Sequence, residues 1–445
     1  MKLSGLLIAA IVLAALSGVL YWSNHHPPAE ATSKISSDTP PKILDLKEAD
    51  ISRVEIKKKS SELALEKNSS GKWQITAPKA LGADQDAVSS MISTLSSLNS
   101  ERLVDEKPAD LKQYGLAQPT VEVDITAKDK PRKLLIGDDT PAGNAVFAKL
   151  ESDPRVFTVA SYSKTSIDKS ANDLRDKRLL TADFDKLSRV EVVTNQQSIE
   201  FGRNKQEWQI LKPKPLRADN YQVEDFVRKL RDAKMDLGGA GNDDKKAAAG
   251  FAAGAPVGSV TLTDSSGTQE LQVHKSKDDY YAKSTAVAGI YKVPSDVGQA
   301  FDKKLDDFRN KKLFDFGFDE PNKVELHDGA KSYFLTKGGE DWWSDGKKMD
   351  ATTVQSLIDK VRGLSASKFV DSGFTTPLLE ASVTSNDSKR VEKVLISKNG
   401  ERYIAKRENE PALYEVESSA VTELQKSAAD LKQAPPPPAP AKGKK

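Results

Sequence analysis

The chain of 445 residues contains no cysteine and only four histidines. Without cysteine there can be no disulfide, no thiolate nucleophile, no cysteine-ligated metal and no acylated N-terminal cysteine. This composition suits an oxidising compartment but is compatible with the cytosol. The histidines form no i, i+4 pair and occupy no recurring position, so we predict no metal site, no cofactor and no Ser-His-Asp triad; they are His25, His26, His274 and His327.

An excess of one charge is also missing, because 67 Lys and Arg residues nearly balance 65 Asp and Glu residues. The formal net charge is +2. A chain without a strong positive field has no general attraction for polyanions, so nucleic acid is not an expected partner.

The N-terminus contains a long apolar run, residues 3–22, that has no charged residue. A helix of that length spans roughly 30 Å, the hydrocarbon thickness of a bilayer. Tyr21 and Trp22 end the run with rings that favour a membrane interface. Lys2 precedes the run, which favours a cytoplasmic N-terminus and an extracytoplasmic remainder. We therefore predict a transmembrane signal anchor at 1–22.

Two alternatives to an anchor remain open. A cleaved signal peptide is one, since Ala29-Glu30-Ala31 resembles a cleavage site, although that site lies far beyond the apolar run. A buried core helix is the other, but a polar linker rich in Pro and Ser follows at 23–42. The anchor accounts best for the length of the run.

A pattern with a period of about 134 residues follows the linker. Each copy opens with alternating apolar positions separated by turn residues, which is typical of an antiparallel meander with one buried face. The positions are Val54, Ile56, Leu63, Leu65, Trp73 and Ile75 in the first copy, Val190, Val192, Ile199, Phe201, Trp208 and Ile210 in the second, and Val324, Leu326, Tyr333, Leu335 and Trp342-Trp343 in the third.

A helix with one apolar face is predicted next in every copy. Its apolar positions have i, i+3, i+4, i+7 spacing, and an aspartate stands four residues before the first of them as a candidate N-cap. The sets are Asp84 with Val88, Met91, Ile92 and Leu95; Asp219 with Val223, Phe226, Val227 and Leu230; and Asp350 with Val354, Leu357, Ile358 and Val361.

A second strand group and a closing amphipathic helix complete each copy. The closing helices are predicted around Ile167 and Leu174, Phe301 and Phe308, and Leu424 and Leu431. The fold class is therefore α+β, with three tandem repeats at 43–180, 181–314 and 315–433 and a disordered Pro- and Lys-rich tail at 434–445. The similar segments 174–180 and 308–314 occur where another copy follows, so we interpret them as the joints between copies.

The chain resembles a bacterial family known as domain of unknown function 4340. The resemblance rests on Tyr114-Gly115-Leu116 with Pro119, on the stretch 135–143 leading to Phe147-Ala148-Lys149, and on the segment 174–180. It covers roughly residues 43–314, and the third copy is more divergent. It implies a bacterial envelope protein of the inner membrane. Some relatives are associated with ABC-type export and gliding motility, which implies an accessory role and supplies no catalytic residues.

Each candidate for chemistry has a structural interpretation that we favour. The loop Gly137-Asp138-Asp139-Thr140-Pro141-Ala142-Gly143 lacks the spacing of a phosphate or calcium loop and is typical of a tight turn. The recurring tryptophans are expected in the core, with the extra one of Trp342-Trp343 exposed. Asp243-Asp244, Asp278-Asp279 and Lys57-Lys58-Lys59 are expected on the solvated surface. We therefore assign no catalytic, cofactor-binding or metal residue.

These patterns favour a non-enzymatic scaffold or binding protein, tethered to the membrane through residues 3–22, with an envelope or transporter protein as its partner. Two alternatives remain. One is a hydrolase with carboxylates in a cleft between copies, and the other is a glycan-binding protein that uses Trp342-Trp343.

Overall fold

The structure, a computed structural model, describes residues 41–238, 244–317, 319–385 and 388–435. The anchor at 1–22, nearly all of the linker at 23–42 and most of the tail at 434–445 lie outside these ranges, as do His25, His26 and Asp243. Across the ranges given, no helix is both long and apolar enough to cross a membrane.

The described chain divides into two compact units, one that ends at Asp176 and one that begins at Lys177. The first unit contains a nine-stranded antiparallel sheet with the order β4-β3-β2-β1-β6-β7-β8-β9-β5. Its elements are β1 (Ile51–Lys58), β2 (Ser61–Lys67), β3 (Trp73–Ala77), β4 (Leu81–Gly82), α1 (Gln85–Ser96), β5 (Arg102–Asp105), β6 (Val121–Ala127), β7 (Lys130–Asp139), β8 (Ala145–Leu150), β9 (Val156–Ala160), α2 (Ser161–Ile167) and α3 (Ala171–Leu174).

The second unit contains two further sheets. The first of them has eight strands in the order β13-β12-β11-β10-β14-β15-β16-β17. Its elements are β10 (Arg189–Thr194), β11 (Ser198–Asn204), β12 (Glu207–Lys212), β13 (Leu216–Arg217), α4 (Asn220–Arg231), α5 (Asp244–Ala253), β14 (Ala255–Asp264), β15 (Gly267–Ser276), β16 (Asp279–Ser284), β17 (Ile290–Val293) and α6 (Ser295–Gln299).

The other sheet of this unit has nine strands in the order β21-β20-β19-β18-β23-β24-β25-β26-β22. Its elements are β18 (Lys323–Asp328), β19 (Lys331–Gly338), β20 (Asp341–Ser344), β21 (Lys347–Lys348), α7 (Ala351–Gly363), β22 (Lys368–Val370), β23 (Pro377–Ser385), β24 (Arg390–Asn399), β25 (Arg402–Arg407), β26 (Leu413–Val416) and α8 (Ser418–Ala429).

One order of strands recurs in all three sheets, so we call the three sheet-and-helix regions the first, second and third repeats. In each, the first meander joins the second strand group through one antiparallel pair, β1–β6, β10–β14 or β18–β23. The first and third repeats have the edge strands β5 and β22, and in the described part of the second repeat a bridge between Asp236 and Lys292 takes their place. The predicted mixture of helices and antiparallel strands is confirmed.

The predicted buried face of each central helix is also confirmed. The buried residues of α1, α4 and α7 include all twelve predicted apolar positions, and each helix packs into the same core as its sheet. The carboxylate of Asp84 accepts hydrogen bonds from the N–H groups of Asp86 and Ala87. Asp219 and Asp350 each accept one bond from the residue three positions later. The aspartates therefore act as the predicted N-caps.

The closing helix is continuous only in the third repeat, as α8, which contains Leu424 but ends at Ala429, before the predicted Leu431. The prediction of one helix was wrong for the other two repeats. In the first repeat, Ser170 has extended backbone angles and starts α3 with a capping box, in which its hydroxyl and Asp173 exchange bonds with the backbone. In the second, 3-10 turns at Ala300–Asp302 and Leu305–Asp307 follow α6. Local side-chain to backbone bonds compete with the helical ladder and break it.

The joint segments link consecutive cores. Leu174 packs in the first core and Phe308 in the second, whereas Leu179 with Leu180 and Leu313 with Phe314 belong to the cores that follow. The packing therefore starts each later repeat a few residues before 181 and 315. After the closing segment of each repeat, the chain contacts the N-cap aspartate of the central helix. In the first repeat, the Asp84 N–H donates to Leu174 O at 2.8 Å. The bonds from Asp219 to Phe308 and from Asp350 to Lys432 are equivalent.

Candidate functional site

A polar cluster in the second unit lies where its two repeats meet. Arg217, at the end of β13, belongs to the second repeat, and its guanidinium contacts groups of the third. Its Nη1 lies 2.7 Å from Asp315 Oδ2 and its Nε 2.9 Å from Glu410 Oε1. Its Nη2 donates to Lys312 O at 2.6 Å and to Tyr414 Oη at 3.2 Å. One side chain therefore ties β13 to the loops and strands of the next repeat.

Two further arginines complete this group, which we call the junction cluster (Arg217, Asp315, Arg390, Glu392, Arg407, Glu410 and Tyr414). Arg407 Nε lies 2.7 Å from Glu410 Oε1, and its Nη1 donates to Leu313 O at 2.7 Å. Arg390 Nη2 lies 2.6 Å from Glu392 Oε1. Three carboxylates thus face three guanidinium groups, so the cluster is balanced in charge.

Several side chains of the junction cluster are largely buried, so their ion pairs affect the stability of the unit. The side chains of Arg217 and Asp315 are both 20% exposed, and that of Glu392 is 4% exposed. Charges removed from water need partners of opposite sign and complete hydrogen bonding, because an unpaired buried charge is costly. The Glu392 carboxylate completes its hydrogen bonding by also accepting a bond from the Asp315 N–H at 2.8 Å.

The cluster shifts the pKa of two of its members. Burial by itself would lower the pKa of the Arg217 guanidinium, but the negative charges of Asp315 and Glu410 and the hydrogen bond to Tyr414 raise it well above its usual value. Burial raises the pKa of the Tyr414 phenol, and the nearby Arg217 opposes that rise. The phenol is thus held in its neutral form, in which it donates to Glu410 Oε2 at 2.8 Å.

A cleft of about 460 Å³ lies beside the cluster. Tyr221 at the start of α4, which is 75% exposed, lies on one side, and Asn310, Lys312 and Arg390 lie on the other. Arg217 forms part of the lining. The lining also contains Glu207, Asp219 and Asp315. The cleft is therefore balanced in charge and can contact polar groups of a binding partner.

A second contact reinforces the same junction. The Arg309 guanidinium carbon lies 3.5 Å from the centre of the Phe369 ring on β22, a cation–π arrangement. Two residues of the joint bond to the segment after α7. The Leu313 N–H donates to Leu364 O at 3.0 Å, and Lys311 O accepts from the Ala366 N–H at 2.8 Å. The second half of the joint is therefore hydrogen-bonded to the third repeat, whereas in its first half the Asn310 N–H donates to Arg217 O of the second repeat at 3.0 Å.

The histidines that the structure describes serve local packing. His274 Nδ1 lies 2.8 Å from Phe251 O, and the two rings stack with centroids 3.8 Å apart. His327 Nδ1 lies 2.8 Å from Ser332 Oγ. In the described ranges, no three His, Cys, Asp or Glu side chains are grouped so as to hold a metal ion.

The predicted roles of the tryptophans are confirmed. Trp73, Trp208 and Trp342 are buried in their respective cores, whereas Trp343 is 40% exposed. The Trp208 indole N–H donates to Glu224 at 2.7 Å, which satisfies its one donor.

The glycine-containing loop after β7 is a hairpin connection, as its composition predicts. The Thr140 N–H donates to Ala145 O at 2.8 Å, and the Gly143 N–H donates to Thr140 O at 2.8 Å with φ of +75° at Gly143. At the base of this hairpin, a Cβ on Gly137 would lie 2.1 Å from Tyr114 O. The Tyr114-Gly115 and Gly137-Asp138 segments, both part of the family resemblance, are therefore in close backbone contact.

Sequence reasoning did not single out the junction cluster. The signal for it is a departure from the repeat pattern: Arg217 stands where the first repeat has Gly82, and Asp315 stands where the second has Thr181. Both differences add a charge, one at the end of β13 and one directly after the second joint. The pattern that revealed the repeats concerns apolar positions only.

Residues 73–236 and 208–380 each match the family described as Domain of unknown function (DUF4340). The matches begin at the equivalent tryptophans of the first and second repeats and extend into the third. No curated protein matches the chain, and no solved structure does. Because the two matches together cover more than half of the chain, this protein belongs to the DUF4340 family.

Proposed function

We propose that the protein is a non-enzymatic scaffold or binding protein of the bacterial envelope. In this proposal residues 3–22 anchor it once in the inner membrane, with the N-terminus in the cytoplasm and the repeats outside. Its partner is an envelope protein or a component of an ABC-type export system. The assignment of compartment and partner class rests on the apolar N-terminal run and on the family resemblance.

The pairing of every carboxylate of the junction cluster with a guanidinium group is the observation that supports the proposal most. General acid–base or nucleophilic chemistry requires a carboxylate that can reach a substrate and change its protonation state. Asp315, Glu392 and Glu410 instead each lie within 3 Å of a guanidinium nitrogen. Such pairing favours a role in fixing the two repeats as one unit with a shared surface.

The surfaces available to a partner also support this proposal. Tyr221 is exposed beside the cleft, and Phe334 is 42% exposed on β19. Exposed aromatic side chains near cationic groups are typical of protein-binding surfaces. A tethered chain with two such sites would gain from its attachment, because anchoring raises the effective concentration near a membrane partner.

Site-specific photo-crosslinking in native membranes tests the proposal. A photoreactive residue at Tyr221 or at Phe334 is expected to yield one defined protein adduct of the envelope, identified by mass spectrometry. The matched control is the same residue at Lys205, an exposed position of the β11–β12 hairpin. If neither site gave an adduct beyond that of the control, the scaffold proposal would lose its support.

A glycan-binding function is the second candidate, and the exposed indole of Trp343 favours it, since sugar rings stack on such surfaces. Calorimetric titration with soluble peptidoglycan fragments is its test. Binding that Trp343→Ala abolishes would support this alternative, whereas a flat isotherm with the unaltered chain would remove it.

A further inference from the structure

The third repeat has an aromatic surface that the other two lack at the same positions. Trp343 on β20 follows the buried Trp342 and faces away from the core, with 40% of its surface exposed. The equivalent residues after Trp73 and Trp208 are Gln74 and Gln209. Phe334 on β19 likewise faces away from the core. We call Trp343 and Phe334 the outer aromatic surface.

Trp343 packs against its sheet and remains partly open to water. A Cβ on Gly338 would lie 3.1 Å from Trp343 Nε1 and 3.2 Å from Cδ1, so the indole lies against the bare backbone of β19. An aromatic ring that rests against a sheet and keeps 40% of its surface exposed can stack with a ligand.

The end of the described chain lies close to this surface. The Ala434 N–H donates to Lys348 O at 2.9 Å, and Gln433 forms a bridge with Met349. Lys348 is paired directly with Trp343 across β20 and β21. The chain at Ala434 is thus two strand spacings from Trp343, roughly 10 Å.

The composition of the remaining tail matches such a platform. Residues 435–438 and 440 are proline, a pattern that favours the polyproline II conformation, which aromatic surfaces recognise. At about 3.1 Å per residue, the seven residues that lead from Pro435 to Lys442 reach roughly 20 Å, enough to pass over Trp343.

The charged residues of the tail lie beyond its proline run. Its last residues include Lys442, Lys444 and Lys445. The turns on either side of Trp343 contain Glu340 and Asp345. The same hairpins also contain Lys347 and Lys348, and Lys348 is paired with Asp341. The basic end that follows the proline run can therefore pair with Glu340 and Asp345 only.

We propose that residues 435–445 dock on the outer aromatic surface of their own chain, with prolines stacked on Trp343 and the basic end near Glu340 and Asp345. Attachment at Ala434 makes the interaction intramolecular, with an effective concentration in the millimolar range, so that weak stacking suffices. A partner that binds the outer aromatic surface must then displace the tail.

Fluorine NMR of the full-length chain labelled with 5-fluorotryptophan tests this proposal. The Trp343 resonance is assigned by its loss in Trp343→Phe. The full chain is compared with a chain that ends at Ala434 and with a chain of full length in which the five tail prolines are replaced by serine. Both changes are expected to shift the Trp343 resonance and to increase its solvent isotope shift. The Trp73, Trp208 and Trp342 resonances serve as internal controls and should not move.

Dilution shows whether the bound tail belongs to the same chain or to a second copy. A Trp343 shift that does not depend on protein concentration supports docking within one chain. A shift that disappears on dilution assigns the tail to a second copy and overturns the proposal. A Trp343 resonance that is the same with and without the tail also overturns it.

Discussion

Arg217 is the member of the junction cluster that belongs to the second repeat, and it contacts Asp315, Glu410 and Tyr414. In Arg217→Met, Asp315 and Glu410 keep Arg407 as a partner but lose one cation each. Removing one member of a buried ion network costs about 3 to 5 kcal/mol. Because the Arg217 side chain is 20% exposed and Arg407 remains, we expect a loss of about 2 kcal/mol in the free energy of unfolding of the second unit. Urea unfolding followed by circular dichroism measures this loss.

The matched control is Arg228→Met on α4, since Arg228 is 56% exposed and pairs with Asp225 one turn away. An exposed pair of this kind is worth no more than about 0.5 kcal/mol. If the two variants lost equal stability, the junction cluster would not hold the repeats together.

Asp264 is expected to make the free energy of unfolding depend on pH in the acid range. Its carboxylate accepts bonds from the Ser266 hydroxyl at 2.6 Å, from the Asp183 N–H at 2.7 Å and from the Ser266 N–H at 2.7 Å, which lower its pKa to about 2. The folded-state pKa lies below the unfolded one of about 4. The resulting stability is therefore present above about pH 4 and is lost as the pH falls towards 2.

Asp264→Asn should lower the urea midpoint at pH 6, and the difference from the unaltered chain should shrink between pH 4 and pH 3. Asp278→Asn, in the exposed turn before β16, is the control and should show no such dependence. A difference for Asp264→Asn that is constant across this pH range would contradict the assignment.

The β7–β8 hairpin depends on the absence of a side chain at Gly137. A Cβ there would lie 2.1 Å from the Tyr114 carbonyl oxygen, and backbone cannot yield as a flexible side chain does. We expect Gly137→Ala to destabilise the first unit by about 2 kcal/mol through overpacking. Thermal unfolding of the altered chain measures it.

Gly82→Ala is the control in the same unit, because its Cβ would meet only Asp176 Cβ at an ordinary 3.7 Å. We expect a change within about 0.5 kcal/mol there. Equal effects of the two substitutions would show that the contact between Tyr114 and Gly137 has no special role.

Elements governed by local sequence were predictable, and those governed by competing or distant contacts were not. The faces of α1, α4 and α7 follow from spacing, and their N-caps follow from one aspartate each. The breaks in the closing helices depend on short-range bonds such as that of Ser170 to Asp173, which apolar spacing does not reveal. The β1–β6 pair joins residues far apart in sequence, so the fusion of two strand groups into one sheet was not evident.

At the scale of the whole molecule, the apolar repeat pattern predicts three similar regions but not how consecutive regions are held. That information lies in residues that differ between repeats, such as Arg217 and Asp315, and in partners on distant strands, such as Glu410. The repeated apolar positions supply the fold of each repeat, and the junction cluster fixes two of the repeats in one unit.

The central claim is that the second and third repeats form a single cooperative unit through the junction cluster. Native-state hydrogen exchange at increasing urea tests it most directly, with the slowest amides of α4 and α7 as reporters. The account predicts the same free energy of opening and the same urea dependence for both helices, and two separate values in Arg217→Met. Distinct free energies and urea dependences for α4 and α7 in the unaltered chain would contradict it.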